Sequence, residues 1–457
     1  MCVMKFLHIA DIHLGCRRYN LEERTKDFFR AWRDVIEKHA IPNRVDFVLI
    51  CGDFFDRRNV DPQAMNHAMV GLKELKAAGI PVVAIEGNHD QRDALTEFSW
   101  MRSLSQWEYL ILLEPVIESG RFELTAWDED DRTGSYVDIA GARIFGSNWY
   151  GASANTAIPL LADAMRDARI EGLFNILMLH TDVEGQIKRP IPALTIAKLT
   201  ELKSFADYVA LGHTHKRFDI DNWAFNPGSL EPTAIDEYRE ERGLYLVEVD
   251  DDHKIRAEHI SDYTQRPFQR LSVDVSGLAD PEAVYHSLME TVEREARRHD
   301  EDSDAPAPII EVTLRGQLGF KNSLLELRRM REEIEEKTHA LHVMMRNQSV
   351  PVEYAVAAGM DAQAPRHERE RRIIEDLIAR DARFRERARD MAELVIESKR
   401  LVLSQESPDK ILKLIEEKLD GSTNEAQPVK AASQEMPTAA GLSAIERNAT
   451  TAAMSSE

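Results

Sequence analysis

The chain has few cysteines, no long apolar run and a deficit of positive charge, and each shortage narrows what it can be. Cys2, Cys16 and Cys51 are its three cysteines among 457 residues, and they stand in no metal-binding spacing. That pattern excludes a disulfide framework and a thiolate zinc site, and it suits a reducing compartment, so a cytoplasmic location is expected. No apolar stretch approaches the roughly 20 residues that span a bilayer. The opening Met1-Cys2-Val3-Met4-Lys5-Phe6 carries no secretory pattern, so no membrane association is expected. Lysine and arginine number 58 against 80 aspartates and glutamates, a formal net charge of −22. A protein that held nucleic acid over its whole surface by counterion release would be basic. Any contact with phosphates is therefore local, offset by bound metal, or shared with a partner.

What the chain does have is a series of polar motifs, each closing an apolar run. They are Asp11-Ile12-His13, Gly52-Asp53-Phe54-Phe55-Asp56, Gly87-Asn88-His89-Asp90, Leu179-His180 and Gly212-His213-Thr214-His215. Each alone has a bland reading: a lone Asp-x-His is weak, and Gly-His-Thr-His can be a turn. In series they offer Asp11, His13, Asp53, Asn88, His180, His213 and His215 as ligands, enough for two adjacent divalent cations. A mix of carboxylate, amide and imidazole suits manganese, iron or zinc better than calcium. The working assignment gives one metal Asp11, His13 and His215, the other Asn88, His180 and His213, with Asp53 shared. Two such ions clamp the attacking and leaving oxygens of an in-line displacement at phosphorus.

Neighbouring residues extend the chemistry. His89, beside ligand Asn88, is read as the acid that protonates the leaving oxygen, with Asp90 holding its ring. The alternative is a plain loop histidine. His8 lies on an apolar run out of step with the motif and is read as a satisfied core histidine. Asp56 is either a partner of the ligands or a surface charge. Arg17 and Arg18 either clamp phosphates or solvate a loop.

The apolar runs at 5–10, 45–51 and 81–85 read as buried strands, separated by helical spacing at 24–39 and 62–78 with Pro62 at a helix start. This alternation predicts an α/β core with parallel pairing. Further strands are expected at 142–146, 174–179, 207–211, 222–226, 243–250 and 254–260, the late ones antiparallel. Every motif then sits just past the carboxyl end of a strand, where open α/β sheets bind ligands. Beyond Pro267, strands are expected at 268–275, 308–315 and 340–346 and helices at 280–298 and 322–338. Residues 366–419 are charged and helical, and their apolar stripe has no core of its own in the sequence. From Gly421 the chain is rich in Ala, Ser, Thr and Pro, and disorder is expected.

The motif set resembles the calcineurin-like metallophosphoesterase superfamily over residues 4 to about 260. Within it, Phe6-Leu7-His8-Ile9-Ala10-Asp11-Ile12-His13-Leu14-Gly15 and Asn226-Pro227-Gly228-Ser229 resemble the SbcD-type DNA-repair exonucleases. The resemblance implies two divalent ions, most simply Mn2+, and a four-layer β-sandwich flanked by helices. It implies a two-metal nuclease domain over 1–265, a small α+β capping domain over 266–348 and a helical arm over 349–420 ahead of a 421–457 tail. It implies DNA as substrate and an SbcC-type coiled-coil ATPase on the arm, and it leaves a homodimer open. Relatives that carry histidine at the Asp56 position put any role of that histidine outside this carry-over. A phosphodiesterase or phosphatase on nucleotides or phosphoproteins, and a non-catalytic DNA-end scaffold, are the competing functions.

Overall fold

A computed structural model describes residues 4–92, 98–118, 120–170, 172–186, 192–300, 304–350, 365–379, 383–404 and 406–420. The chain divides into two compact units, Met1–Pro351 and Val352–Glu457. The expected tail at 421–457 lies outside the described residues.

Two six-stranded sheets face each other in the first unit. The first sheet runs, edge to edge, Ile255–Ile260, Leu244–Val249, Met4–Ile9, Phe47–Cys51, Val82–Ile85 and Ile111–Leu112. The second runs Phe218–Ile220, Ala224–Asn226, Tyr208–Gly212, Phe174–His180, Ala142–Phe145 and Tyr136–Ile139. Successive strand residues point to opposite faces, so each central strand feeds two cores. Phe6, Phe47, Leu49, Ile176, Met178 and Tyr208 fill the space between the sheets. Leu7, Ile9, Val48 and Ile50 face Phe28, Trp32 and Leu72 of the outer helices Glu22–Val35 and Pro62–Ala77. Leu177, Leu179, Val209 and Leu211 do the same for the helix Ala154–Ala168 on the far side. The result is helix, sheet, sheet, helix. Continuous apolar runs rather than alternation mark strands buried on both faces.

Local signals act where expected. Asp61 caps the second outer helix by accepting from the backbone of Gln63 and Ala64, with Pro62 in the first turn. Leu244–Val249 pairs antiparallel with both neighbours, but Ala224–Asn226 pairs parallel with Tyr208–Gly212, so only part of the late region is antiparallel. The helix Ala154–Ala168 was not expected: its apolar spacing at Ile158, Leu161, Ala162 and Met165 is helical, but Pro159 inside it argued against a helix.

Residues 266–348 lie within the first unit and build their own core around Leu271, Val284, Leu288, Val312 and Ile334. The strands Phe268–Asp274, Ile309–Arg315 and His342–Asn347 are all parallel. Helices Pro281–Glu295 and Leu327–Thr338 connect them. Residues 266–348 thus alternate strand and helix in the order expected from the sequence. Parallel strands need such crossovers, and the amphipathic helices supply them.

A buried ionic knot ties residues 266–348 to the sandwich. Asp27 accepts from Arg24 at 2.6 Å and from Arg266 at 2.6 and 2.7 Å. Glu231 accepts the Arg266 backbone N–H at 2.8 Å and lies 3.3 Å from the Arg24 guanidinium. Opposite charges meet there, which is the condition for burying them.

In the second unit, helices Arg366–Ile378, Ala388–Leu403 and Pro408–Asp420 are described, and the middle one packs on both others. Met391, Ala392 and Leu394 are buried, so the stripe does have a small core, contrary to expectation. Leu377, Val395, Val402, Leu403 and Leu412 stay exposed.

Removing one member of the knot strands the others. Arg266→Ala is expected to lower stability by about 3–5 kcal/mol, read as a shift in the urea unfolding curve. A loss under about 1 kcal/mol would show the knot to be unimportant.

Candidate metal centre

The motif loops meet at one end of the sandwich, between the two sheets. Asp11, His13, Asp53 and His213 all take positive φ, at 52°, 49°, 51° and 87°. Non-glycine residues rarely hold that conformation, and its cost is met where surrounding structure over-determines it. Here the loops are laced together. Asp11 N–H donates to Gly52 carbonyl at 3.1 Å and His13 N–H to Asp53 carbonyl at 3.0 Å. His213 N–H donates to the Asp11 carboxylate at 2.9 Å. Glycine is required at two of the crossings: a Cβ on Gly87 would lie 2.1 Å from Asp53 Oδ1, and one on Gly52 would lie 2.3 Å from His180 Nδ1.

Side-chain lone pairs converge. His13 Nε2 and His215 Nε2 face each other at 3.0 Å. His215 Nε2 is 3.8 Å from Asp11 Oδ1. Asp53 Oδ2 lies 3.9 Å from His13 Nε2 and 3.3 Å from His180 Nε2. His180 Nε2 is 3.2 Å from Asn88 Oδ1. Asp11, His13 and His215 form one group with ligand atoms mutually within 4.8 Å, and Asp53, His180 and His213 form a second. His13, Asp53 and His89 form a third of the same spread, so His89 stands closer to the centre than a residue merely beside it. Two imidazole nitrogens face to face, with carboxylates around them, suit a shared cation better than each other. The donor set therefore fits divalent metal.

The rings are held from behind. His180 Nδ1 donates to Cys51 carbonyl at 2.8 Å, and His215 Nδ1 to Glu237 at 2.8 Å. His213 Nε2 lies 3.5 Å from Asp182, whose other oxygen accepts from Thr214 Oγ1 at 3.0 Å. Neither Glu237 nor Asp182 was read from the sequence. Asp182 follows His180 by two residues and offered a faint signal; Glu237, 22 residues past His215, offered none.

One reading changes. Asp90 does not hold His89. Its carboxylate accepts from the backbone of Phe54 and Phe55 at 2.9 Å each, and from Gly87 at 3.3 Å, bracing the Asp53 loop. The His89 ring is anchored instead by Asp56, whose backbone carbonyl lies 2.6 Å from Nδ1. The loop turns the Asp90 carboxylate inward toward unpaired N–H groups, and these outcompete a ring. Asp56 also brings a carboxylate oxygen to 3.7 Å from His13 Nδ1, so it faces the ligands. His8 is satisfied as expected, bonded to Tyr208 Oη and to Leu211 carbonyl, each at 2.9 Å.

Burial and charge set the protonation. Burial pushes Asp11 up, and burial with the nearby Asp53 charge pushes Asp90 up to about 7. Burial lowers His13 to about 3, and neighbouring His215 adds to this. Burial opposes charge on His180, but Asp53, Asp11 and the Cys51 carbonyl outweigh it and lift the ring to about 9. Burial likewise opposes ionisation of Asp53, and His180, His13 and His89 hold it well below the usual carboxylate range.

A cleft of about 380 Å³ opens over the group, lined by His13, His89 and His215 together with Arg17, Arg18 and Arg57. Arg17 is half exposed, with Asp61 at 3.7 Å.

A family model described as calcineurin-like phosphoesterase matches residues 4–217. A curated protein of Aeropyrum pernix, "DNA double-strand break repair protein Mre11", is 28% identical over 62% of this chain and 66% of its own length. The protein of that name in Archaeoglobus fulgidus is 31% identical over 62% of this chain and 67% of its own length. The one in Sulfolobus acidocaldarius is 25% identical over 73% of this chain and 81% of its own length. Among the described residues, no helix is long and apolar enough to cross a membrane.

The Asp53–His180 pair carries a pH signature. The ring titrates near 6.5 when unfolded and is held to about 9 when folded. In chelator-treated protein its contribution is complete below pH 6.5 and is lost as pH rises through about 9. The expected loss across that window is on the order of 3 kcal/mol, read from unfolding midpoints, and His180→Asn should flatten it. A midpoint that rises over the window would contradict the pair.

Proposed function

Because the chain belongs to the calcineurin-like phosphoesterase family and its relatives are DNA double-strand break repair proteins, we propose that it is a metal-dependent nuclease. Its reaction is hydrolysis of phosphodiester bonds at DNA ends. The observation that carries this reading is the placing of Asp53 Oδ2 between His13 and His180. In this reading Asp11, His13 and His215 hold one manganese ion, Asn88, His180 and His213 hold the other, and Asp53 is shared. When bound, the two cations supply an acidified water and the counter-charge that the transition state at phosphorus needs.

The chain's own residues do the remaining work. His89, anchored at Nδ1 by the Asp56 carbonyl, has only Nε2 with which to exchange a proton, and it protonates the leaving oxygen. Asp90 acts through the backbone, keeping the Asp53 loop in its left-handed turn. Arg17, Arg18 and Arg57 line the cleft and offer charge-assisted donors to flanking phosphates. This local basic rim answers the objection raised by a net charge of −22. Residues 266–348 serve as the cap beside the cleft.

The arm receives a coiled-coil ATPase of the SbcC type. Its exposed Leu377, Val395, Val402, Leu403 and Leu412 support this, since burying them recovers about 25 cal/mol per Å² of apolar surface. Leu377→Glu with Val402→Glu is expected to abolish co-purification with such an ATPase and leave metal binding unchanged. Full-strength pull-down by this variant would reject the docking site.

The function is tested by manganese-dependent release of nucleotides from end-labelled linear DNA, alongside a nitrophenyl phosphodiester. Nucleotide release with wild-type protein is expected. His89→Gln should slow DNA cleavage by roughly a hundred-fold and the nitrophenyl diester far less, because nitrophenolate leaves without a proton. Hydrolysis of the small diester alone would favour a phosphatase-type substrate. Equal losses on both substrates would remove the acid role from His89.

A further inference from the structure

The turn Ile235–Glu237 lies between the metal centre and the cap, and its residues divide between the two. Glu237 turns toward the centre. Its Oε1 accepts from His215 Nδ1 at 2.8 Å and from Thr233 Oγ1 at 2.7 Å, and its Oε2 accepts from Thr233 N–H at 2.8 Å. Arg242, itself buried, donates to the Glu237 backbone carbonyl at 2.6 Å and to Ser229 Oγ at 2.8 Å. The carboxylate therefore has little freedom except to move with its backbone.

The rest of the turn belongs to the cap. Ile235 is buried against Phe268 and Ile309 of the cap strands, with Tyr238, Leu341 and Met344 packed around them. Asp236 pairs with Arg270 on the first cap strand. The Arg270 guanidinium also lies over the Tyr238 ring, 5.5 Å from its centroid, and reaches Glu311 at 2.7 Å. Ile235 N–H donates to Tyr19 Oη at 2.7 Å, and Tyr19 lines the cleft beside His13 and His215.

We infer that Glu237 is the positioning residue for His215, and that the turn carrying it couples the place of the cap to the affinity of the metal centre. The inference rests on the reading of His215 as a metal ligand. A carboxylate behind a ligating imidazole fixes which ring nitrogen carries the proton and the direction of the other, and such partners govern affinity strongly. Here that partner sits on backbone that the cap grips through Ile235, Asp236 and Tyr238. A displacement of the cap strand therefore drags the carboxylate, and the carboxylate turns the ring. Substrate that shifts the cap changes how tightly one of the two ions is held.

Titration of Mn2+ into the full-length chain, followed by calorimetry, tests this. Wild type should take up two ions. Glu237→Ala should weaken one of them by about 10- to 100-fold and leave the other near its wild-type affinity. Glu237→Gln keeps an acceptor and a similar shape, so it should recover part of the loss; it also carries the test if the alanine variant does not fold. Arg270→Ala touches no residue of the cleft, yet should weaken the same ion about fivefold or more, with Arg270→Lys restoring part of it. Unchanged affinity in Glu237→Ala overturns the inference, as does unchanged affinity in Arg270→Ala. Equal weakening of both ions with a lowered unfolding midpoint marks general loosening and overturns it too. A wild-type chain that binds no Mn2+ removes the metal-centre reading and this inference with it.

Discussion

The whole arrangement depends on one constraint: imidazoles and carboxylates are buried together at a point where neither water nor an apolar core can satisfy them. Asp11, Asp53 and His180 are almost fully removed from solvent. Burying such charges is tolerable only when opposite charge lies within a few ångströms. Asp53 and His180 meet that need for each other, and the remaining lone pairs point at common space. Much of the surrounding design follows. The motif glycines let loops approach, positive-φ residues aim the side chains, and Cys51, Asp182 and Glu237 hold the rings from behind.

The sandwich and the residues that converge at its end were legible in the sequence because both are local signals. Apolar runs report doubly buried strands, and each ligand lies within a few residues of a strand end. The supporting residues were not legible, for an equally physical reason. Glu237 meets His215 across 22 residues of irregular chain, and Asp56 meets His89 across 33. Contacts of that kind leave no periodicity. The error over Asp90 shows the danger of adjacency: neighbours in sequence on a tight loop point apart, and the free N–H groups of Phe54 and Phe55 were the stronger partners. The helix Ala154–Ala168 and the knot of Arg24, Asp27, Glu231 and Arg266 were hidden for related reasons, one by an internal proline and the other by long-range pairing.

Charge is distributed with purpose in a chain that is acidic overall. Arginines appear where they balance buried anions, as in the knot, or where they rim the cleft. Against an acidic remainder, the rim with Arg17, Arg18 and Arg57 is locally basic.

The first sheet has a consequence for how the protein is made. Its opening strand, Met4–Ile9, lies between Phe47–Cys51 and Leu244–Val249. The loops that carry Asp11 and His13 are thus fixed partly by a strand translated nearly 240 residues later. His213 and His215 join the centre almost as late. From Asn88 until Leu244–Val249 is made, a nascent chain carries at least four of the seven converging residues without the means to assemble them. Long-range closure of this kind slows folding. It also means that the residues of the centre come together only once the sandwich has closed.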